Sequence, residues 1–175
     1  EFRREPVSSG IDGLDTLLGG GLDRGTTTLI LGPAGTGKST LALQYGVQMA
    51  ARGEGSMYFA FDETRGVMLT RAKALGFDME TLIRSGLVTV QQVDPAELCP
   101  GEFATRIRRG VEAGYKLIVI DSLNGYLQSM PGEKYLNNQL HELSSYLNQQ
   151  GVLTILILAQ HGLVAEAEAP VDLSY

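Results

Sequence analysis

Gly32-Pro-Ala-Gly-Thr-Gly-Lys-Ser39 satisfies the pattern GxxxxGK[ST] at every fixed position. Glycines at 32, 35 and 37 let a backbone curl until successive N–H groups point at one anion. A helix opening directly after such a loop adds the positive end of its dipole. Lys38 brings a mobile charge for β- and γ-phosphates, and the Ser39 hydroxyl stands where it can ligand Mg²⁺. The competing reading is a plain glycine-rich turn. At average residue usage the four fixed positions coincide in well under ~1% of chains of this length, so phosphate binding is the reading carried forward.

Carboxylates supply the other half of the chemistry. Leu117-Ile-Val-Ile120 is an apolar run closed by Asp121, the second acidic element that a phosphate loop needs to hold Mg²⁺, directly or through water. Asp62-Glu63 closes an earlier apolar run, Ser56–Phe61. Two adjacent carboxylates there can polarise an attacking water. Equally, Asp62 or Thr64 can cap the helix that follows. Gln160 sits where an amide could report a γ-phosphate to the adjacent loop, or simply bond to backbone. His161 is its neighbour at the same edge.

The elements that must position these residues alternate. Strands are expected at about 27–32, 56–61, 87–93, 116–120 and 153–158. Helices are expected at 40–52, 64–75, 78–84 and 101–113, and around Leu136, Leu140, Leu143 and Leu147, whose spacing marks one helical face. In the helix 64–75, Val67, Leu69 and Ala72 are read as apolar positions. Thr27–Leu31 reads as a buried strand. The pattern predicts right-handed βαβ crossovers, a mostly parallel sheet with helices on both faces, and ligand groups at the carboxyl ends of the strands. Residues 1–26 form a turn-rich lead-in to one domain spanning 1–175.

The chain has 175 residues, 43% of them hydrophobic, and a formal net charge of −6. That charge opposes generic binding to nucleic acid or anionic membrane, since both rely on clustered Lys and Arg. The tightest basic cluster, Arg106, Arg108 and Arg109, reads as a solvated helix face. The single cysteine, Cys99, allows no internal disulfide, suits a reducing cytosol and reads as a buried or inert thiol. No secretory leader or membrane span is expected, which makes the cytoplasm the expected location. His141 reads as a surface or boundary residue.

In this order the elements resemble the RecA-like ATPases with a P-loop NTPase core, and within them the KaiC family. Ser9-Gly-Ile-Asp-Gly-Leu-Asp-Thr-Leu-Leu-Gly-Gly-Gly-Leu22 is similar to that family's opening segment. Phe61-Asp-Glu-Thr64 resembles its paired acids before a threonine, Ile120-Asp-Ser122 its magnesium strand, and Ala169–Tyr175 the stretch before a later strand. The resemblance implies ATP and Mg²⁺ as cofactors, hydrolysis at the interfaces of a homo-oligomeric ring, usually a hexamer, and signalling partner proteins. It implies that Gly32, Pro33, Ala34, Gly35, Thr36, Gly37, Lys38, Ser39 and Thr40 hold the phosphates. Ser39 and Asp121 serve the metal, and Asp62 and Glu63 activate the nucleophile with Lys38 at the reacting phosphate.

Two departures stand out: the family's usual Glu-Glu is Asp62-Glu63 here, which leaves the identity of the base open, and the family's pattern continues beyond Tyr175. The resemblance therefore implies a domain shortened at its C-terminus, without the later basic residues that reach a neighbour's nucleotide, and without the later autophosphorylated segment. Circadian timing, signalling and motility control are all compatible with this core. Two other functions compete. A DNA recombinase or mediator would use a loop at 125–135, with Tyr126, Lys134 and Tyr135, and a second at 162–169, which has no Lys or Arg. A nucleotide-gated scaffold would assemble in ATP without turnover.

Overall fold

The computed structural model describes residues 5–94, 99–128 and 133–160. Its lead-in is more ordered than a run of turns: strand β1 (Pro6–Val7) pairs antiparallel with β2 (Leu22–Asp23), and helix α1 (Asp12–Leu17) lies between them. Asp15 ties this segment together, accepting from the Ser8 hydroxyl at 2.5 Å, the Ser9 N–H at 2.8 Å and the Ser9 hydroxyl at 2.7 Å.

The main body follows as β3 (Thr27–Pro33), α2 (Lys38–Ala51), β4 (Gly55–Ala60), α3 (Arg65–Ala74), α4 (Met79–Arg84), β5 (Val88–Gln92), α5 (Pro100–Glu112), β6 (Tyr115–Asp121), α6 (Leu123–Gln128), α7 (Glu133–Gln149) and β7 (Leu153–Gln160). The five longer strands form one parallel sheet in the order β3-β7-β6-β4-β5. The chain first steps from β3 across to β4 and β5, then returns through β6 to β7. Because each crossover is right-handed, reversing direction reverses the face that the connecting helix covers. α2, α3 and α4 therefore share one face, packed with Leu117, Val119, Ile155 and Ile157. α5, α6 and α7 share the other, with Ile118, Ile120, Leu156 and Leu158.

Alternation along β6 serves both layers: Leu117, Ile118, Val119 and Ile120 are each at most 1% exposed. Burying a side chain of this size contributes about 1.5–3 kcal/mol. The leucine stripe of α7 is buried as its spacing predicts. Helix and sheet fit closely at Gly46 of α2, where an added Cβ would overlap the Tyr58 hydroxyl. That hydroxyl donates to the Ala42 carbonyl at 2.6 Å.

Several expectations change. β3 is half-buried rather than buried, because among the described residues it pairs only with β7, and Leu31 is 47% exposed. In α3 the inward residues are Met68 and Ala72, while Val67 faces out at 56%. Residues 123–128 are helical, and Tyr126 lies at 1% exposure against Phe61 and Phe103. It is a core aromatic, with its hydroxyl pushed up to about 12 by burial, and not a loop platform for bases. Tyr135 is exposed. Cys99 is exposed too, because it stands at the N-terminal cap of α5, ahead of the first buried turn. His141 is exposed as expected. His161, the segment 162–169 and the stretch 169–175 lie outside the described residues.

Candidate active site at the carboxyl edge of the sheet

Strand register brings the separate motifs to one edge. Pro33, the last residue of β3, lies opposite Gln160, the last residue of β7. Asp121 ends β6 opposite Ala60 on β4 and Ile157 on β7. The Phe61 N–H donates to the Asp121 carbonyl at 2.7 Å, so Asp62 and Glu63 leave β4 directly beside Asp121.

The phosphate loop has the expected backbone. Gly35 and Gly37 take φ of 80° and 89°, left-handed values that side chains disfavour. Gly37 caps α2 without any side-chain bond, and the first turn of α2 carries no acidic residue. The uncapped N–H groups there are free to face an anion. Lys38 Nζ donates to the Pro33 carbonyl at 2.6 Å, and the Thr36 hydroxyl to the same oxygen at 2.9 Å. Both bonds brace the loop across its mouth. Residues 33–37 are exposed, so the cradle opens at the surface.

Asp121 is half-buried. Burial raises its carboxyl above the ordinary carboxylate range, the Ser39 hydroxyl bonded to it lowers it, and the charges of Arg71 and Lys38 lower it while Asp62 raises it. Ser39 and Asp121 thus meet as a hydroxyl–carboxylate pair of hard oxygen donors. This fits Mg²⁺, which takes few protein ligands and keeps much of its water. It would not fit a metal that demands a closed nitrogen or sulfur cage. Among the described residues no group of three or more His, Cys, Asp or Glu side chains is set to hold a metal.

The two adjacent acids have different surroundings. Asp62 accepts from the Ser122 hydroxyl. Ser122 is buried and its oxygen accepts from the Gly125 N–H at 3.1 Å. A Cβ on Gly125 would come within 2.5 Å of Phe61 Cβ and 2.9 Å of Asp62 Oδ1, so only glycine lets α6 approach this closely. The peptide bond between Asp121 and Ser122 is cis. Glu63 pairs with Arg71 on α3 through two bonds, 2.8 Å and 2.7 Å. Thr64, not Asp62, caps α3, its hydroxyl accepting from the Val67 N–H at 3.4 Å. The carboxylates are therefore not occupied as helix caps.

Gln160 sits beside the loop in register, and its strand end is held by Asn124. The Ala159 N–H donates to Asn124 Oδ1 at 2.8 Å, and Asn124 Nδ2 donates to the Ala159 carbonyl at 3.1 Å. Arg71, Ser122 and Asn124 escape a reading of the sequence. Arg71 looks like any helix cation. Ser122 and Asn124 follow a strand and carry no spacing signal of their own.

Several known proteins are similar to this chain. A family model described as "ATPase: KaiC" matches residues 7–169. The circadian clock protein KaiC3 of Synechocystis is 29% identical over 163 residues, 87% of this chain and 32% of that protein. The circadian clock oscillator protein KaiC of Thermostichus vulcanus is 28% identical over 159 residues, 83% of this chain and 30% of that protein. The DNA repair protein RadA of Mycobacterium tuberculosis is 40% identical over 78 residues, 45% of this chain and 16% of that protein. The chain spans about a third of the length of the KaiC relatives it matches. Among the described residues no helix is long and apolar enough to cross a membrane. With nearly its whole length inside the family match and its parallel sheet ending in the phosphate loop, the chain belongs to the KaiC family of RecA-like ATPase domains.

Proposed function

We propose that the chain binds Mg-ATP and hydrolyses it to ADP and phosphate, using the cycle to drive assembly or conformational signalling in a ring of like subunits. The supporting observation is that residues 32–39, Asp121 and the Asp62/Glu63 pair converge on one edge of one sheet. The N–H groups of the loop and of the first turn of α2 hold the phosphates, and Lys38 places its ammonium at the reacting one. Ser39 and Asp121 would hold Mg²⁺, which would supply positive charge to offset that of the phosphates. Gln160 reads the γ-phosphate from the end of β7.

Glu63 is the base in this reading. Asp62 is committed to Ser122 and braces β4 against α6, whereas Glu63 is one methylene longer and held by the Arg71 guanidinium through two bonds. The water oxygen bonds to the γ-phosphorus as the bond to the bridging oxygen breaks. The electron pair leaves with ADP, and the water proton passes to Glu63. The exposed loop favours completion of the site by a second copy of the chain. The clock-protein names belong to the relatives, and a timing role for this chain is a proposal from that likeness.

A DNA-handling role has less support. Tyr126 is buried, Arg106 pairs with Glu102 at 2.6 Å, and Arg108 lies over the Tyr146 ring at 5.2 Å. The test of the ATPase reading is Glu63→Gln, which should bind ATP normally and release phosphate on the order of 100-fold more slowly, as loss of a general base does. Normal turnover in that variant would reject Glu63 as base. Ring formation in ATP with no turnover in the unaltered chain would favour the scaffold.

A further inference from the structure

We propose that Arg71 is a positioning residue of this site: its guanidinium holds the Glu63 carboxylate in the orientation from which it takes the water's proton. The proposal rests on the ATPase reading above. The pair is not the common i,i+4 surface pair, since eight positions separate the two residues. Glu63 precedes the cap of α3, and Arg71 lies two turns inside it. Side chains on a helix lean toward its N-terminus, so a long arginine reaches back over those turns to the sheet edge. Met68 and Ala72, both buried, fix the rotation of α3 that turns Arg71 this way.

The contact has the geometry that orients. A planar guanidinium meeting both carboxylate oxygens at 2.8 and 2.7 Å constrains distance and plane together, which a lysine cannot do. The two side chains are 32% and 22% exposed, so the pair is partly shielded from solvent. Among the described residues Arg71 Nε is buried without a partner, which a solvated surface charge would not be. The same cation bonds Glu63 and acts on Asp121, where its positive charge opposes the effect of the Asp62 carboxylate. An arginine of this chain's own α3, and not only Lys38, thereby serves the acidic side of the site.

The experiment measures phosphate release from Mg-ATP for Arg71→Ala and Arg71→Lys, each alone and combined with Glu63→Gln. Arg71→Ala should lower kcat by about 10-fold to 100-fold, part of what a general base contributes, with KM for ATP changed less than about 2-fold. Arg71→Lys, limited to a single point contact, should lose several-fold less. In the Glu63→Gln background Arg71→Ala should cost nothing further, because residues acting as one unit are non-additive. Unchanged kcat in Arg71→Ala or, should that variant fold poorly, in Arg71→Lys overturns the proposal. So does a loss that persists in full beside Glu63→Gln, or one confined to KM. Absence of Lys38-dependent turnover in the unaltered chain is a separate result, which rejects the ATPase reading and this assignment with it.

Discussion

The Ser122 hydroxyl donates to the Asp62 carboxylate across 60 positions of sequence. Through this one bond the residue after Asp121 is tied to the first acid of the pair, and the Gly125 N–H fixes the serine from the other side. Ser122→Ala would leave a buried N–H without its acceptor and Asp62 without its donor. A loss of about 1–3 kcal/mol in urea unfolding is expected, with a smaller fall in phosphate release than Glu63→Gln causes. Unaltered stability would show that the bond braces nothing.

Asn124 is the clamp on the strand end that carries Gln160. Its amide serves both the N–H and the carbonyl of Ala159. Asn124→Ala leaves both groups unpaired and should cost about 1–3 kcal/mol. The Ala159 amide should also exchange with solvent faster. Asn124→Asp keeps the acceptor but sets a carboxylate against a carbonyl, so it should not rescue. Equal stability of Asn124→Asp and the unaltered chain would refute the clamp.

Asp15 makes the lead-in sensitive to acid. Bonds from Ser8 and Ser9 hold its carboxyl below the ordinary aspartate range. A depressed folded value stabilises the fold above the unfolded aspartate value of about 3.9, and that stabilisation is lost as pH falls through the folded value. Asp15→Asn should therefore melt at lower temperature than the unaltered chain at pH near 7, with the gap closing as the medium is acidified below the unfolded value. A gap constant across that window would exclude the carboxylate as its source.

Gly46 and Tyr58 should be non-additive. Gly46→Ala drives a methyl into the Tyr58 hydroxyl and should cost about 1–3 kcal/mol through overpacking. Tyr58→Phe loses the bond to the Ala42 carbonyl, about 1 kcal/mol, but removes the oxygen that Gly46→Ala meets first. The double variant should be more stable than the sum of the two singles predicts. Strict additivity by denaturant titration would mean that the layers relax apart here.

Much of this was legible from residue type and spacing. The phosphate loop, the alternating elements and the leucine stripe of α7 carry local signals, and a local signal survives folding. Long-range geometry does not print itself this way. Thr27–Leu31 has the composition of a central strand, and only the strand order places β3 at the described edge. Tyr126 follows a strand with no helical period to mark it, and the aromatic cluster with Phe61 and Phe103 decides its burial. The Asp62/Glu63 pair was ambiguous between cap and catalyst because both need an acid at a helix start. Thr64 takes the cap, which a single sequence does not rank above its neighbour.

The most direct test is phosphate release from Mg-ATP by the unaltered chain and by Lys38→Ala, over a range of protein concentrations. The account predicts release that Lys38→Ala reduces by on the order of 100-fold or more, since one charge at the reacting phosphate carries much of the stabilisation. It also predicts release that rises more steeply than linearly with concentration as copies complete one another's exposed sites. Turnover that is indifferent to Lys38 would contradict the account.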